Sequence, residues 1–190
     1  MESLEAQIRA DFERLKAGEF EITSDKDRNY NCIAWAMGKC DEYWWPHRDA
    51  VWPRSAPQAE TVDAFKAAFA TEGFTPCADG KPKQGVEKVA LYTLNGKPQH
   101  AAFLLPNGKW GSKLGKGHDI HHLKLEAIGG TTKSKYGDAT HFFERPEPET
   151  PRPQMPNTMY EFARRAGVTN ATVTPPKKAK PSKASSKRKR

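Results

Sequence analysis

The chain has 190 residues, 36% of them hydrophobic, enough for one domain with extensions. No apolar run approaches the roughly 18 residues of a membrane span, the start Met-Glu-Ser-Leu-Glu-Ala lacks the regions of a secretory signal, and three cysteines (Cys32, Cys40, Cys77) do not make a disulfide framework, so a reducing cytoplasmic setting is expected. The net charge of +8 is concentrated in Pro175–Arg190, which holds eight basic residues and no acid; the rest carries 23 Lys and Arg against 23 Asp and Glu, so bulk charge does not mark the domain itself as a nucleic-acid binder.

Ser3–Ala17 is predicted to be an amphipathic helix, with Leu4, Ile8, Phe12 and Leu15 on one stripe, Ser3 as cap and Gly18 as terminator. Asn31–Gly38 is a short apolar segment with room for two helical turns. Asp41–Pro57 holds three of the five Trp and three prolines, and reads as an aromatic-rich loop. Glu60–Glu72 is the second helix, with Val62, Phe65, Ala68 and Phe69 at helical spacing and Gly73 beyond its end.

The period then changes. Lys88–Leu94, Gln99–Leu105 and Lys109–Leu114 read as short strands joined by the turn signals Asn95-Gly96 and Pro106-Asn107-Gly108, an antiparallel meander. Ile120–Ile128 is a helical or loop candidate, and Tyr136–Arg145 a last strand. Helices first and a meander afterwards make an α+β domain over residues 1–145. Aromatic residues become scarce and prolines dense after Arg145. Residues 146–156 are therefore expected to form a Pro-rich linker, 157–167 a short helix capped by Asn157, and 168–190 a disordered basic tail.

Cys32 stands in Asn29-Tyr30-Asn31-Cys32-Ile33-Ala34-Trp35-Ala36, at the start of an apolar helical segment, where the helix field favours thiolate over thiol. Free Cys is also a common core residue. His100, in the second strand of the meander, supplies what a nucleophilic Cys needs: a base that titrates near neutrality.

Asn-Cys at a helix start followed by a meander carrying His-Ala-Ala resembles the papain-like fold, in the style of the NlpC-like cell-wall peptidases and the CHAP amidases. The wider pattern (Tyr30–Ala36, Trp44-Trp45-Pro46, Glu87–Tyr92, His100-Ala101-Ala102, Gly108-Lys109-Trp110 and Ser112–Gly115) also resembles an uncharacterised bacterial domain family over Asn29–Arg145. The resemblance implies an α+β papain-like domain and a Cys-His pair. It also implies a polar side chain on the following strand that orients the histidine.

Two residues compete for that third position. With a three-residue turn at Pro106–Gly108, Leu105 faces Lys109 and His100 faces Leu114, so Ser112 is the diagonal neighbour of His100 on its own face. A two-residue turn moves the position to Lys113. Ser lacks the charge that stabilises an imidazolium, and Asp119 is the charged substitute.

Other chemistry finds less support. His118, Asp119, His121 and His122 form a GHDIHH cluster that could ligate zinc with Cys77 or Cys40, but none of the paired spacings of metal sites is present. No Gly-rich phosphate loop appears, so neither a metal nor a cofactor is expected. Trp35, Trp44, Trp45 and Trp52 serve either as core or as walls of a cleft beside Cys32.

The function expected is a cysteine hydrolase acting on a peptide, other amide or thioester. Cys32 is the nucleophile, His100 the general base and then acid, Ser112 or Asp119 the orienter, and the Cys32 N–H a support for the oxyanion. The alternative is a catalytically silent papain-like binding module. In either case Lys177–Arg190 could attach to nucleic acid or another polyanion through phosphates.

Overall fold

The computed structural model describes residues 3–149. In chain order these form α1 (Leu4–Asp11), β1 (Phe20–Ile22), α2 (Cys32–Ala36), α3 (Val62–Ala70), β2 (Thr75–Cys77), β3 (Val86–Leu94), β4 (Lys97–Leu104), β5 (Trp110–Lys113), β6 (Asp119–His122), a 3-10 turn (Leu125–Ile128) and β7 (Asp138–Pro146). The seven strands make one antiparallel sheet in the order β1-β6-β5-β4-β3-β7-β2, so the domain is α+β. The expected linker beyond Glu149, helix 157–167 and basic tail 168–190 lie outside the described residues. Among the described residues no helix is long and apolar enough to cross a membrane.

Side chains alternate across a strand, and the central strands are covered on both faces, which is why β3 and β4 read as near-continuous apolar runs. One face gives Val89, Leu91, Ala101, Phe103 and Phe143 to a core with Ile33 and Trp35 of α2 and Phe65 and Phe69 of α3. The other gives Ala90, Tyr92, Ala102, Leu104 and Ile120 to a core with Ile8 of α1 and Phe12 just after it. The β3–β4 hairpin turns at Asn95 (φ 52°) and Gly96 (φ 76°), the pair of left-handed residues that a tight hairpin requires.

The first helix is shorter than its apolar stripe predicts. Ser3 caps it through Ala6 N–H, but it ends at Asp11. The next residues are drawn to a distant loop: the Glu13 carboxylate accepts from Thr131 N–H (3.2 Å), Lys133 N–H (2.9 Å) and the Thr132 hydroxyl, and Arg14 pairs with Asp138 at 2.7 Å. Tertiary hydrogen bonds outweigh a propensity worth tenths of a kcal/mol per residue. Phe12 and Leu15 stay buried without the helix.

The segment expected to be helical or loop from Ile120 begins as a strand. Asp119–His122 pairs with β5 on one side and β1 on the other. The edge strands β1 and β2, three residues each, were not expected from the sequence, because three residues are too few to show a period.

The turn between β4 and β5 has three residues, closed by Leu105 N–H to Lys109 C=O at 2.8 Å. The ladder that follows holds only Leu104 opposite Trp110 and Phe103 opposite Gly111. Beyond Gly111, β5 leaves β4 and continues paired with β6. At Gly111 a Cβ would meet the Trp35 ring at 2.1 Å, so glycine lets α2 press directly on the strand where the ladder ends.

Candidate functional site

Cys32 is the first residue of α2. Asn31 caps the helix: its Oδ1 accepts from Ala34 N–H (3.1 Å) and Trp44 N–H (3.2 Å), and its Nδ2 donates to Trp44 C=O (2.7 Å). One side chain thus fixes both the helix start and the aromatic loop above it. The thiol is 6% exposed and lies on the wall of a cavity of about 350 Å³ shared with Tyr43, Trp45, His47, Gln99 and Tyr136.

Burial pushes this thiol up to about 11. The Ala101 N–H, the first amides of α2 and the charge of Lys113 act the other way and do not offset it. The helix start therefore does not by itself make a thiolate here, because five residues of dipole are weaker than the cost of a buried charge. Cys32 rests as a thiol.

His100 has no exposed surface. Its Nε2 is 3.1 Å from Ser112 Oγ, Ser112 Oγ is 2.9 Å from His122 Nε2, and His122 Nδ1 is 2.9 Å from Lys124 C=O. The proton positions follow from chemistry. A carbonyl only accepts, so His122 carries its proton on Nδ1 and its Nε2 is an acceptor. Ser112 then donates to His122, and its oxygen accepts from His100 Nε2–H. His100 is left with its lone pair on Nδ1, buried and without a hydrogen-bond partner.

Burial holds both imidazoles neutral: His122 is lowered to about 4 and His100 well below its ordinary value. Tyr136 lies flat on the His100 ring, at 4.2 Å between centroids and 10° between planes, and Tyr92 meets it edge-on at 5.3 Å. Of the residues flanking His100, Ala101 acts on the Cys32 sulfur through its N–H, and Gln99 lines the same cavity as Cys32. Tyr136 lines that cavity as well.

Asp119 is placed elsewhere. Its Oδ2 accepts from Tyr30 Oη (2.8 Å) and Trp35 Nε1 (3.1 Å), and its Oδ1 is 3.7 Å from the ammonium of Lys113, which itself lies 4.8 Å over the Tyr30 ring and donates to Gly117 C=O. Asp119 and Lys113 have no exposed surface. The pair anchors Tyr30 and Trp35 on either side of Cys32, while the one hydrogen-bonded nitrogen of His100 is held by Ser112. Of the four residues singled out from sequence, His100 and Ser112 are in contact, Cys32 lies against the neighbours of His100, and Asp119 supports the helix that carries Cys32.

The histidines of GHDIHH serve different partners. His118 Nδ1 bonds Ser24 C=O at 2.8 Å and His122 belongs to the relay. Among the described residues no group of three or more His, Cys, Asp or Glu is placed to hold a metal ion, and all three cysteines are free. Trp35 and Trp44 are core, whereas Trp45 is both packed on Phe65 and part of the cavity wall.

Sequence reasoning missed two residues of the site. His122 was visible only as a metal-ligand candidate; strand alternation from Asp119 would have put it on the face of Ile120, and hence of Ser112. Tyr136 carries no signal, because it reaches His100 from a loop closed by reciprocal Gly130–Gly137 backbone hydrogen bonds, both 2.8 Å.

A family model described as Domain of unknown function (DUF7689) matches residues 21–144, which span every element from β1 through most of β7. No curated protein matches the chain, and no solved structure matches it.

Proposed function

The chain belongs to the DUF7689 family, and for this member we propose a papain-like cysteine hydrolase in which Cys32 is the nucleophile and His100 Nδ1 the base. One observation carries the reading. A fully buried imidazole is held by a Ser112–His122 relay in the single tautomer that leaves an unsatisfied lone pair, and beside it in the chain the Ala101 N–H acts on the Cys32 sulfur while Gln99 lines the cavity of Cys32. A structural histidine in a core normally satisfies both nitrogens.

Burial pushes Cys32 and His100 toward their neutral forms, so the resting pair is thiol and imidazole rather than an ion pair. The substrate carbonyl enters the cavity beside Trp45 and Tyr136. Cys32 Sγ forms a bond to the carbonyl carbon while its proton passes to His100 Nδ1. The carbonyl π electrons move to oxygen, where the Cys32 N–H supports the oxyanion. Collapse breaks the bond to the amine or thiol, which leaves with the proton from His100. Water then attacks the acyl-enzyme thioester, giving its proton to His100, and the carboxylic acid departs as that proton returns to sulfur.

Alkylation of Cys32 by iodoacetamide, mapped by peptide mass, tests the pair. The wild type should react at about pH 7 roughly a hundredfold faster than His100→Ala, the size of general-base assistance. His100→Gln, which can still hydrogen-bond to Ser112, controls for folding. Equal rates in wild type and variants would leave the silent binding module as the better reading.

A further inference from the structure

Tyr136 covers the flat face of the His100 ring and also lines the cavity of Cys32. The stacking accounts for its ring but leaves its hydroxyl without a role. Tyr136 N–H donates to Ser134 Oγ (3.5 Å), whereas the hydroxyl makes no hydrogen bond among the described residues. The phenols of Tyr30 and Tyr92 differ: one donates to Asp119 and the other to Leu125 C=O, both at 2.8 Å. We infer that the Tyr136 hydroxyl is a further catalytic donor, which with the Cys32 N–H holds the carbonyl oxygen of the substrate as it becomes an oxyanion. This role rests on the hydrolase reading and adds a residue to its machinery.

Three features direct the hydroxyl to that oxygen. The first is electrostatic. Burial, and after it the charge of the Cys32 sulfur, hold the phenol above its ordinary range, so the group stays O–H, a donor within electrostatic reach of the sulfur. The partner it lacks is an acceptor, and a carbonyl carbon bonded to Cys32 Sγ brings one beside the sulfur. The second is the state of the other side-chain donors on the same wall. Asn31 Nδ2 is committed to Trp44 C=O, Gln99 Nε2 leans on Lys97 C=O at 3.5 Å, and Tyr43 and His47 are exposed to water. The third is rigidity. The phenol ring lies 4.2 Å from a His100 ring that has no exposed surface, so the hydroxyl is held before substrate arrives, as oxyanion stabilisation requires.

Tyr136→Phe keeps a ring on His100 and removes only the hydroxyl, and two reagents read the loss on the native full-length protein. With p-nitrophenyl acetate, Cys32 Sγ bonds to the acetyl carbon as its proton passes to His100 and on to water. The carbonyl π electrons move to oxygen, and their return expels p-nitrophenolate. Methyl methanethiosulfonate transfers its methylthio group to the same sulfur and releases methanesulfinate, with no carbonyl oxygen involved. Acetylation of Cys32, mapped by peptide mass, should be about a hundredfold slower in Tyr136→Phe than in the wild type, the worth of one oxyanion donor. Methylthio transfer to Cys32 should keep the wild-type rate. A fall shared by both reagents overturns the inference, because the hydroxyl then acts on His100 or on the fold rather than on the carbonyl oxygen. Acetylation that survives the loss of the hydroxyl overturns it too, and leaves the hydrolase reading standing. A wild type acetylated at Cys32 no faster than His100→Ala overturns the hydrolase reading itself.

Discussion

Ser112→Ala removes one hydroxyl from a residue with no exposed surface, and with it both links of the relay. Two buried groups are stranded: the His100 Nε2–H loses its acceptor, and the His122 Nε2 lone pair loses its donor. Each unsatisfied group costs about 1–3 kcal/mol, so the variant should lose about 2–6 kcal/mol of stability. An exposed Ser→Ala change stays within about 0.5 kcal/mol. Urea unfolding reads this as a lower midpoint at unchanged slope. A chemical consequence accompanies the structural one. His100 is no longer confined to the Nε2–H tautomer, so Cys32 alkylation near neutral pH should fall about tenfold, somewhat more than one neutral hydrogen bond is worth. Ser112→Cys, which keeps a weak donor and acceptor, should lie between the two. A stability loss below about 0.5 kcal/mol together with unchanged Cys32 labelling would refute the relay.

Two further outcomes can be measured. His100 and His122 both have folded values below the unfolded 6.5, so the unfolded chain takes up protons first as pH falls; stability should be complete above about pH 6.5 and decline by about 1.4 kcal/mol per pH unit for each histidine as pH drops toward about 4, with His122→Gln halving the slope in urea titrations and a flat profile contradicting buried neutral rings. Deleting Pro175–Arg190 leaves 23 Lys and Arg against 23 Asp and Glu, so heparin retention should vanish with no change in melting temperature, and retention that survives would put the cationic surface on the folded domain.

The sheet was legible from sequence where strands were long and their turns carried Gly. β3, β4 and β5 and the three-residue turn at Pro106–Gly108 follow from the apolar runs and turn chemistry; Ser112 meets His100 at 3.1 Å, although the ladder expected to set that diagonal ends at Phe103 opposite Gly111. The helices were legible in position but not in length, because Glu13 and Arg14 are claimed by residues more than a hundred positions away. Asp119 was read for its charge. Its place was decided by Tyr30, Trp35 and Lys113, contacts that no local pattern encodes. Burial was also invisible in sequence: the start of α2 suggests an activated thiolate, while the enclosed sulfur is raised to about 11.

These pieces fit one arrangement of parts. The proposed base is held by the sheet, with His100, Ser112 and His122 supplied by β4, β5 and β6 in turn, so the tautomer depends on strand pairing. The proposed nucleophile, Cys32, is held by α2, fixed at one end by Asn31 on Trp44 and along its length by Trp35 against Gly111 and Asp119. Where β5 parts from β4 after Gly111, the two supports come together and the ladder no longer occupies the Ala101 N–H, which acts on the sulfur instead. A charged thiolate–imidazolium pair at that junction would have to be desolvated on both partners at rest. A neutral pair avoids that cost and moves its proton only when a carbonyl carbon accepts the sulfur electrons. It follows that Cys32 should be sluggish toward small reagents in general and selective for those that the cavity walls hold in place.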